Sequence, residues 1–360
     1  MASIWNNRIS VSIFGEAQGP AIGVTVDNLP PGEFIEAKKL HQFMERRYPG
    51  VHEGAEFTQI LSGILNDRTT GSPLCAFIQN PRVEAAPDMS RLNRLPRPGH
   101  ADYTGTLRYR GFNDIRDGGH FSDRLTAPLC FAGAVCGQIL ERRGIYVGAH
   151  ALEIHGIRDD EFDYVNVTKD DLVAVRNKSF PVINFDKGTD MLEDIRAASA
   201  GGESLGGIVE CAAVNVPAGI GSPIFDGIEN TIGQMIFGIP GVRGIEFGAG
   251  FKAAEMVGSQ HNDEFYVDDH GHIRTVTNHH GGILGGISSG MPIILRVAFK
   301  PTPSVRSVQE TVNLSTMQSE KLDAELGAEA CIVPRMVPCV EAAVNIVLLS
   351  HMLDYPHFNS

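Results

Sequence analysis

The chain is predicted to fold as one α+β domain over residues 1–360, and three observations carry that prediction. Apolar or alternating runs at 9–14, 23–26, 207–216 and 293–299 have the two-residue period of strands. These runs are spread from end to end with no break in composition. Three helical stretches interrupt them, without the regular short β-α alternation that a doubly wound sheet requires.

The first helix is predicted over 34–48, where Ala37, Leu40, Phe43 and Met44 recur at three- and four-residue spacing and Tyr48-Pro49-Gly50 supplies a stop. Residues 126–143 form the second. Its small residues Ala127, Ala132, Gly133, Ala134 and Gly137 predict close packing on several sides, and Pro128 is tolerable in a first turn. The third, 340–353, is apolar nearly all round apart from Glu341, Asn345, Ser350 and His351, the pattern of a core helix. Charges at 159–163 and 169–171 read as solvated loops.

Composition narrows the function. With 42% hydrophobic and 20% charged residues, 360 residues can bury a substantial core. A net charge of −13 leaves no basic face for nucleic acid or an acidic membrane, so an anionic ligand needs a local pocket of arginines. The six cysteines show no C-x-x-C pair and lie mostly in apolar runs, as buried free thiols do. Neither a signal peptide nor an uncharged 18-residue apolar run is visible, so a cytoplasmic protein is expected.

Residues 277–304 are the densest in chemistry. Gly281, Gly282, Gly285, Gly286 and Gly290 permit close backbone approach to an anion. Lys300, Thr302 and Ser304 then place one cation and two hydroxyls on a corner stiffened by Pro301 and Pro303, suited to a phosphate monoester. A glycine-rich turn with no ligand fits the same residues. The spacing is not that of a Walker A loop, and no convincing Gly-x-Gly-x-x-Gly opens a helix after a strand. His270/His272 and His279/His280 have metal-compatible spacing, but no cysteine set completes a zinc pattern, so no metal is assigned.

Several blocks in order resemble the chorismate synthase family: FGEAQGPAIG at 14–23, RPGHADYTG at 97–105, ESLGGIVEC at 203–211, GIEFGAGF at 244–251, GGILGGISSG at 281–290, FKPTPS at 299–304 and VPRMVPCVEA at 333–342. The resemblance implies a β-α-β sandwich of antiparallel sheets enclosing long helices, assembled as a homotetramer. It implies a lyase that converts 5-enolpyruvylshikimate-3-phosphate, a small anionic shikimate-type substrate, to chorismate and phosphate with reduced FMN. Whether NADPH serves as external reductant is left open. By the same resemblance His100 stabilises the reduced flavin, Ser122, Asn278, Gly285, Lys300, Thr302 and Ser304 hold it, and Arg47, Arg124 and Arg335 bind substrate anions.

The sequence departs from the family pattern at the reacting end. The usual Gly-Glu-Ser-His-Gly is Gly15-Glu16-Ala17-Gln18-Gly19, and Gln18 donates a hydrogen bond but cannot act as a general acid. Glu329 stands opposite the family's aspartate as proton acceptor, one methylene longer. An Arg-Ser-Ser becomes His120-Phe121-Ser122, Asn113 replaces an arginine, and the arginine expected after Tyr48 is missing, with Glu53 nearby. Two readings follow: a divergent synthase in which His120, His279 or His280 takes over lost roles, or a paralogue that binds FMN and acts on a less anionic substrate or on none.

Overall fold

The computed structural model describes residues 3–47, 58–80, 95–322 and 329–355. Five antiparallel strands form the first sheet: β1 (Ile4–Asn6), β2 (Ser10–Gly15), β3 (Ala21–Asp27), β4 (Thr58–Ser62) and β5 (Leu74–Gln79), in the order β1-β2-β3-β5-β4. The second contains β6 (Tyr146–Ile154), β7 (Ile157–Arg158), β8 (Gly207–Val214), β9 (Val242–Phe247) and β10 (Ile293–Phe299), in the order β9-β10-β8-β6-β7. All its pairings are antiparallel too.

Seven helices matter here: α1 (Ala37–Glu45), α2 (Asp102–Tyr109), α3 (Thr126–Glu141), α4 (Lys169–Arg176), α5 (Phe185–Gly201), α6 (Ile228–Ile236) and α7 (Val333–Met352). The helices α3 and α7 pack on each other between the sheets, α3 against β3 and α7 against β6 and β8. The expected sandwich is thus present. Small residues set the interhelix distance: a Cβ on Gly133 would lie 2.2 Å from Ala342 Cα, so only glycine allows this approach. Although α7 is long and apolar enough to span a membrane, 89% of its apolar window is buried inside the protein, as befits a core helix.

Three local expectations change. Helix α1 begins at Ala37, because Phe34 is held in a β-bridge with Arg68; its proposed stop at 48–50 lies outside the described residues. Helix α7 starts seven residues before the predicted 340, running through Pro334 and Pro338. Pro334 sits where no intrahelical N–H partner is needed, and burial of the whole helix compensates for the one bond that Pro338 cannot donate. Residues 169–171 open α4 rather than a loop, through a capping box in which Thr168 and Asp171 exchange hydrogen bonds.

Asp159 is likewise buried, not solvated. Its carboxylate and that of Glu210 bracket the fully buried His150, with Nδ1 3.1 Å from Asp159 and Nε2 3.0 Å from Glu210. Both ring nitrogens can donate only as imidazolium. Burial alone would discharge the ring, but hydrogen bonds to Asp159 and Glu210 outweigh it and raise the pKa. An ordinary histidine titrates near about 6.5 in an unfolded chain, so this stabilisation is complete below that pH and is lost as pH rises through the folded value. The denaturation midpoint should therefore fall as the pH is raised above about 6.5. His150→Gln should flatten that slope; an unchanged slope in the variant would assign it to other groups.

Candidate active site

The site is built where two loops cross the end of α3. The turn at 116–122 carries three successive residues with positive φ, Asp117 (49°), Gly118 (83°) and Gly119 (53°). A Cβ on Gly119 would fall 1.8 Å from the Asp114 carbonyl oxygen, so glycine is obligatory there. The Gly119 carbonyl accepts a 3.0 Å bond from Ala17 N, which fastens the turn to the loop bearing Gln18. Arg124 Nη1 adds a 3.0 Å bond to the Ala17 carbonyl. Ser122 is buried beside them and caps the short helix at 123–125.

His100 faces this turn. Its Nε2 lies 3.1 Å from where a Cβ on Gly118 would stand, so the bare glycine leaves that nitrogen room. Its Nδ1 lies 2.6 Å from Asp102 Oδ1, and Arg97 holds the same carboxylate through Nε at 2.7 Å and Nη2 at 2.9 Å. Burial would raise the Asp102 pKa, yet the hydrogen bonds from Arg97 and His100 hold it well below the ordinary carboxylate range. A permanent carboxylate at Nδ1 fixes the tautomer and aims Nε2 at the site. Neither Asp102 nor Arg97 was singled out from the sequence, although the His-x-Asp spacing inside RPGHAD was the available signal.

Lys300 connects this wall to the Pro301–Pro303 corner. Its Nζ donates to the Gly99 carbonyl at 2.7 Å, and burial together with nearby Arg243 lowers its pKa. Thr302 Oγ1 donates to the Glu329 carbonyl at 3.0 Å, while Ser204 Oγ donates to the Thr302 carbonyl at 2.7 Å. Ser304 lies partly buried on the same corner. Glu329 pairs with Arg335, whose Nη2 also meets Asp123 at 2.8 Å. The Glu329 carboxyl is pushed up by burial against the opposing pull of Arg335, with Asp123 adding to the rise. Arg47 is completely buried below, donating to Thr126 Oγ1 and to the Asp123 carbonyl at 2.7 Å each.

Thus Gln18, His100, Ser122, Arg124, Lys300, Thr302, Glu329 and Arg335 are linked through a continuous set of contacts, with Arg47 as their buried floor. Asn278 and Gly285 stand elsewhere. Asn278 is buried and donates to the Tyr164 and Pro292 carbonyls at 2.7 and 2.9 Å, while accepting from Gly282 N at 2.9 Å. Gly285 turns the hairpin that joins Ile283–Leu284 to Ile287–Ser288. Both lie beyond the Ile293 end of β10, whereas Lys300 follows its Phe299 end, about 20 Å away by strand rise. Of the histidines proposed as substitutes, His279 and His280 are held by Asp263, and His120 Nδ1 bonds the Gly15 carbonyl at 2.8 Å.

The chain matches the family model described as chorismate synthase over residues 9–353. It is similar to the chorismate synthase of Korarchaeum cryptofilum (strain OPF8), with 43% identity over 358 residues and 97% coverage of both chains. That of Thermococcus kodakarensis (strain ATCC BAA-918 / JCM 12380 / KOD1) is 41% identical, with 96% of each chain covered. A solved structure titled "Crystal Structure of Chorismate Synthase" superposes with a TM-score of 0.77 at 27% identity, covering 96% of this chain and 91% of that one. Agreement in sequence, in architecture and across nearly the full length leads to one conclusion: the chain belongs to the chorismate synthase family.

Proposed function

We propose that the chain is a carbon–oxygen lyase that converts 5-enolpyruvylshikimate-3-phosphate to chorismate and phosphate by anti-1,4-elimination with reduced FMN. The observation that supports this most is the joining of His100, the Lys300 corner and the Arg124–Arg335 wall around one turn. The residues suit a flavin phosphate: Lys300 brings a cation, Thr302 and Ser304 bring hydroxyls, and Gly118 leaves space against His100. When bound, reduced FMN supplies an electron-rich ring that assists cleavage of the allylic C–O bond.

The protein groups have separable tasks. His100, oriented by Asp102, directs Nε2 toward negative charge on the ring system. Arg124 and Arg335 receive phosphate and carboxylates, and buried Arg47 adds positive potential beneath them. Glu329, its carboxyl raised, accepts a proton near the Thr302 corner. Gly285 and Asn278, at the far end of β10 from Lys300, are assigned to the flavin on the family resemblance alone. Exposed Phe225, Phe251 and Phe265 support assembly into a homotetramer, and the protein works in the cytoplasm.

The direct test is anaerobic incubation with chemically reduced FMN and 5-enolpyruvylshikimate-3-phosphate, following chorismate absorbance and phosphate release. Product formation at rates well above a flavin-only control is expected. Tight flavin binding without product, while an authentic synthase turns over alongside, would refute the assignment of reaction.

A further inference from the structure

A cavity of about 600 Å³ opens between α1, α3, α4 and α7, a size that suits a small molecule. Among the described residues, none of those placed at the candidate active site lines it. Helix α7 stands between the two places: Pro334, Pro338, Glu341 and Asn345 recur at four- and three-residue spacing on one face, whereas Arg335 projects from another. Arg46 lines the cavity, while the next residue, Arg47, donates to Thr126 and Asp123 beneath the active site.

The walls are held in place by the protein itself. Arg46 is fixed to Glu341 by two 2.6 Å bonds, and Gln138 of α3 grips the Glu36 backbone, accepting from its N–H at 2.8 Å and donating to its carbonyl at 3.2 Å. Ala134, Val337 and Pro338 add apolar surface. A pre-formed apolar wall with a few placed polar groups lowers the ordering cost of binding.

Two of those polar groups are unmatched. Asn345 is only 3% exposed, lines the cavity and makes no hydrogen bond among the described residues. Its amide lies against bare Gly137, where a Cβ would come within 2.7 Å of Nδ2. A buried amide with neither donor nor acceptor engaged is destabilising, so its position on a cavity wall points to an occupant that forms hydrogen bonds.

Lys178 is the second group. Its Nζ donates to the Val182 and Ile183 carbonyls at 2.8 Å each, which orients the ammonium, leaves it a third N–H and brings it no carboxylate among the described residues. The other cations on the wall each have one: Lys39 pairs with Glu36, Arg46 with Glu341 and Arg176 with Glu141. One positive charge is thus uncompensated here, in a chain whose net charge is −13.

We infer that this cavity is a second ligand site, which takes a small monocarboxylic acid with an apolar body and a neutral hydroxyl or amide. The carboxylate pairs with Lys178, the body lies on the apolar wall, and the neutral group bonds the Asn345 amide. None of this depends on the reaction proposed above.

Calorimetry on the full chain with benzoate and 4-hydroxybenzoate as probes tests the site without turnover. Wild type should bind 4-hydroxybenzoate with a Kd of about 1 mM or tighter, and benzoate about fivefold more weakly. Asn345→Ala should erase that difference, and it should melt no lower than wild type, because no protein hydrogen bond is lost and alanine favours a helix. Lys178→Gln should weaken both probes alike, by about fivefold or more. Arg124→Gln, at the candidate active site, should leave both affinities within about twofold. No binding to wild type up to about 10 mM would show a cavity filled by water only and overturn the inference. So would a hydroxyl preference that survives Asn345→Ala, or binding that disappears with Arg124→Gln, since the probes would then occupy the active site. Chorismate formation bears on the proposed reaction alone, and probe binding on this cavity alone, so either can fail without the other.

Discussion

Asp102→Asn is expected to lower turnover about 10²-fold or more and to weaken reduced FMN about tenfold relative to oxidised FMN. The substitution keeps the size of the side chain, so the start of α2 should survive. What disappears is the fixed negative charge at 2.6 Å from His100 Nδ1 and the acceptor that engages Arg97 twice. An imidazole without that anchor can rotate, and a charged imidazole loses its counter-ion just where ring negative charge must be met. His100→Ala should shift flavin affinity in the same direction, and the double variant should add little to either single one, because both remove one unit. Equal weakening of the two flavin redox forms, measured by anaerobic titration, would rule out an electrostatic role for the dyad.

The largest effect on stability is expected from Glu341→Gln, at about 3–5 kcal/mol. Glu341 is fully buried in α7, accepts 2.6 Å bonds from both terminal nitrogens of Arg46, and accepts a third from Ala149 N at 2.9 Å. It therefore ties α7, the residue following α1 and the second sheet to one carboxylate. Arg176 lies 3.9 Å away and contributes at longer range. An amide cannot answer two parallel N–H donors and an amide N–H while facing a partly buried guanidinium, so the positive charge would lose its counter-ion. Replacing both partners, Arg46→Met with Glu341→Leu, should recover much of the loss. Chemical denaturation decides: a single-variant cost below about 1 kcal/mol would show that the pair is dispensable. Arg46 immediately precedes Arg47, so Glu341→Gln should also weaken anion binding at the site.

How far the sequence led differed from element to element. The strands β2, β3, β8 and β10 and the helix α3 were legible because a two- or three-to-four-residue period records which side chains face a core. The start of α7 was concealed by Pro334 and Pro338, which local propensity penalises and a buried helix tolerates. Asp159 resembled a surface charge in an acidic run; its partners His150 and Glu210 come from β6 and β8, and no local pattern announces such a meeting.

The sequence by itself determined the α+β class, the glycines that turn the chain, the Lys300 corner and the family to which the chain belongs, since each is written in consecutive residues. Only the tertiary structure decided that Lys300 meets Gly99 beside His100, that Asn278 and Gly285 lie at the far end of β10 from Lys300, and that Arg335 meets Asp123. Those relations join segments far apart in the chain. They are fixed by packing and by hydrogen-bond satisfaction across the whole molecule, which local periodicity does not encode.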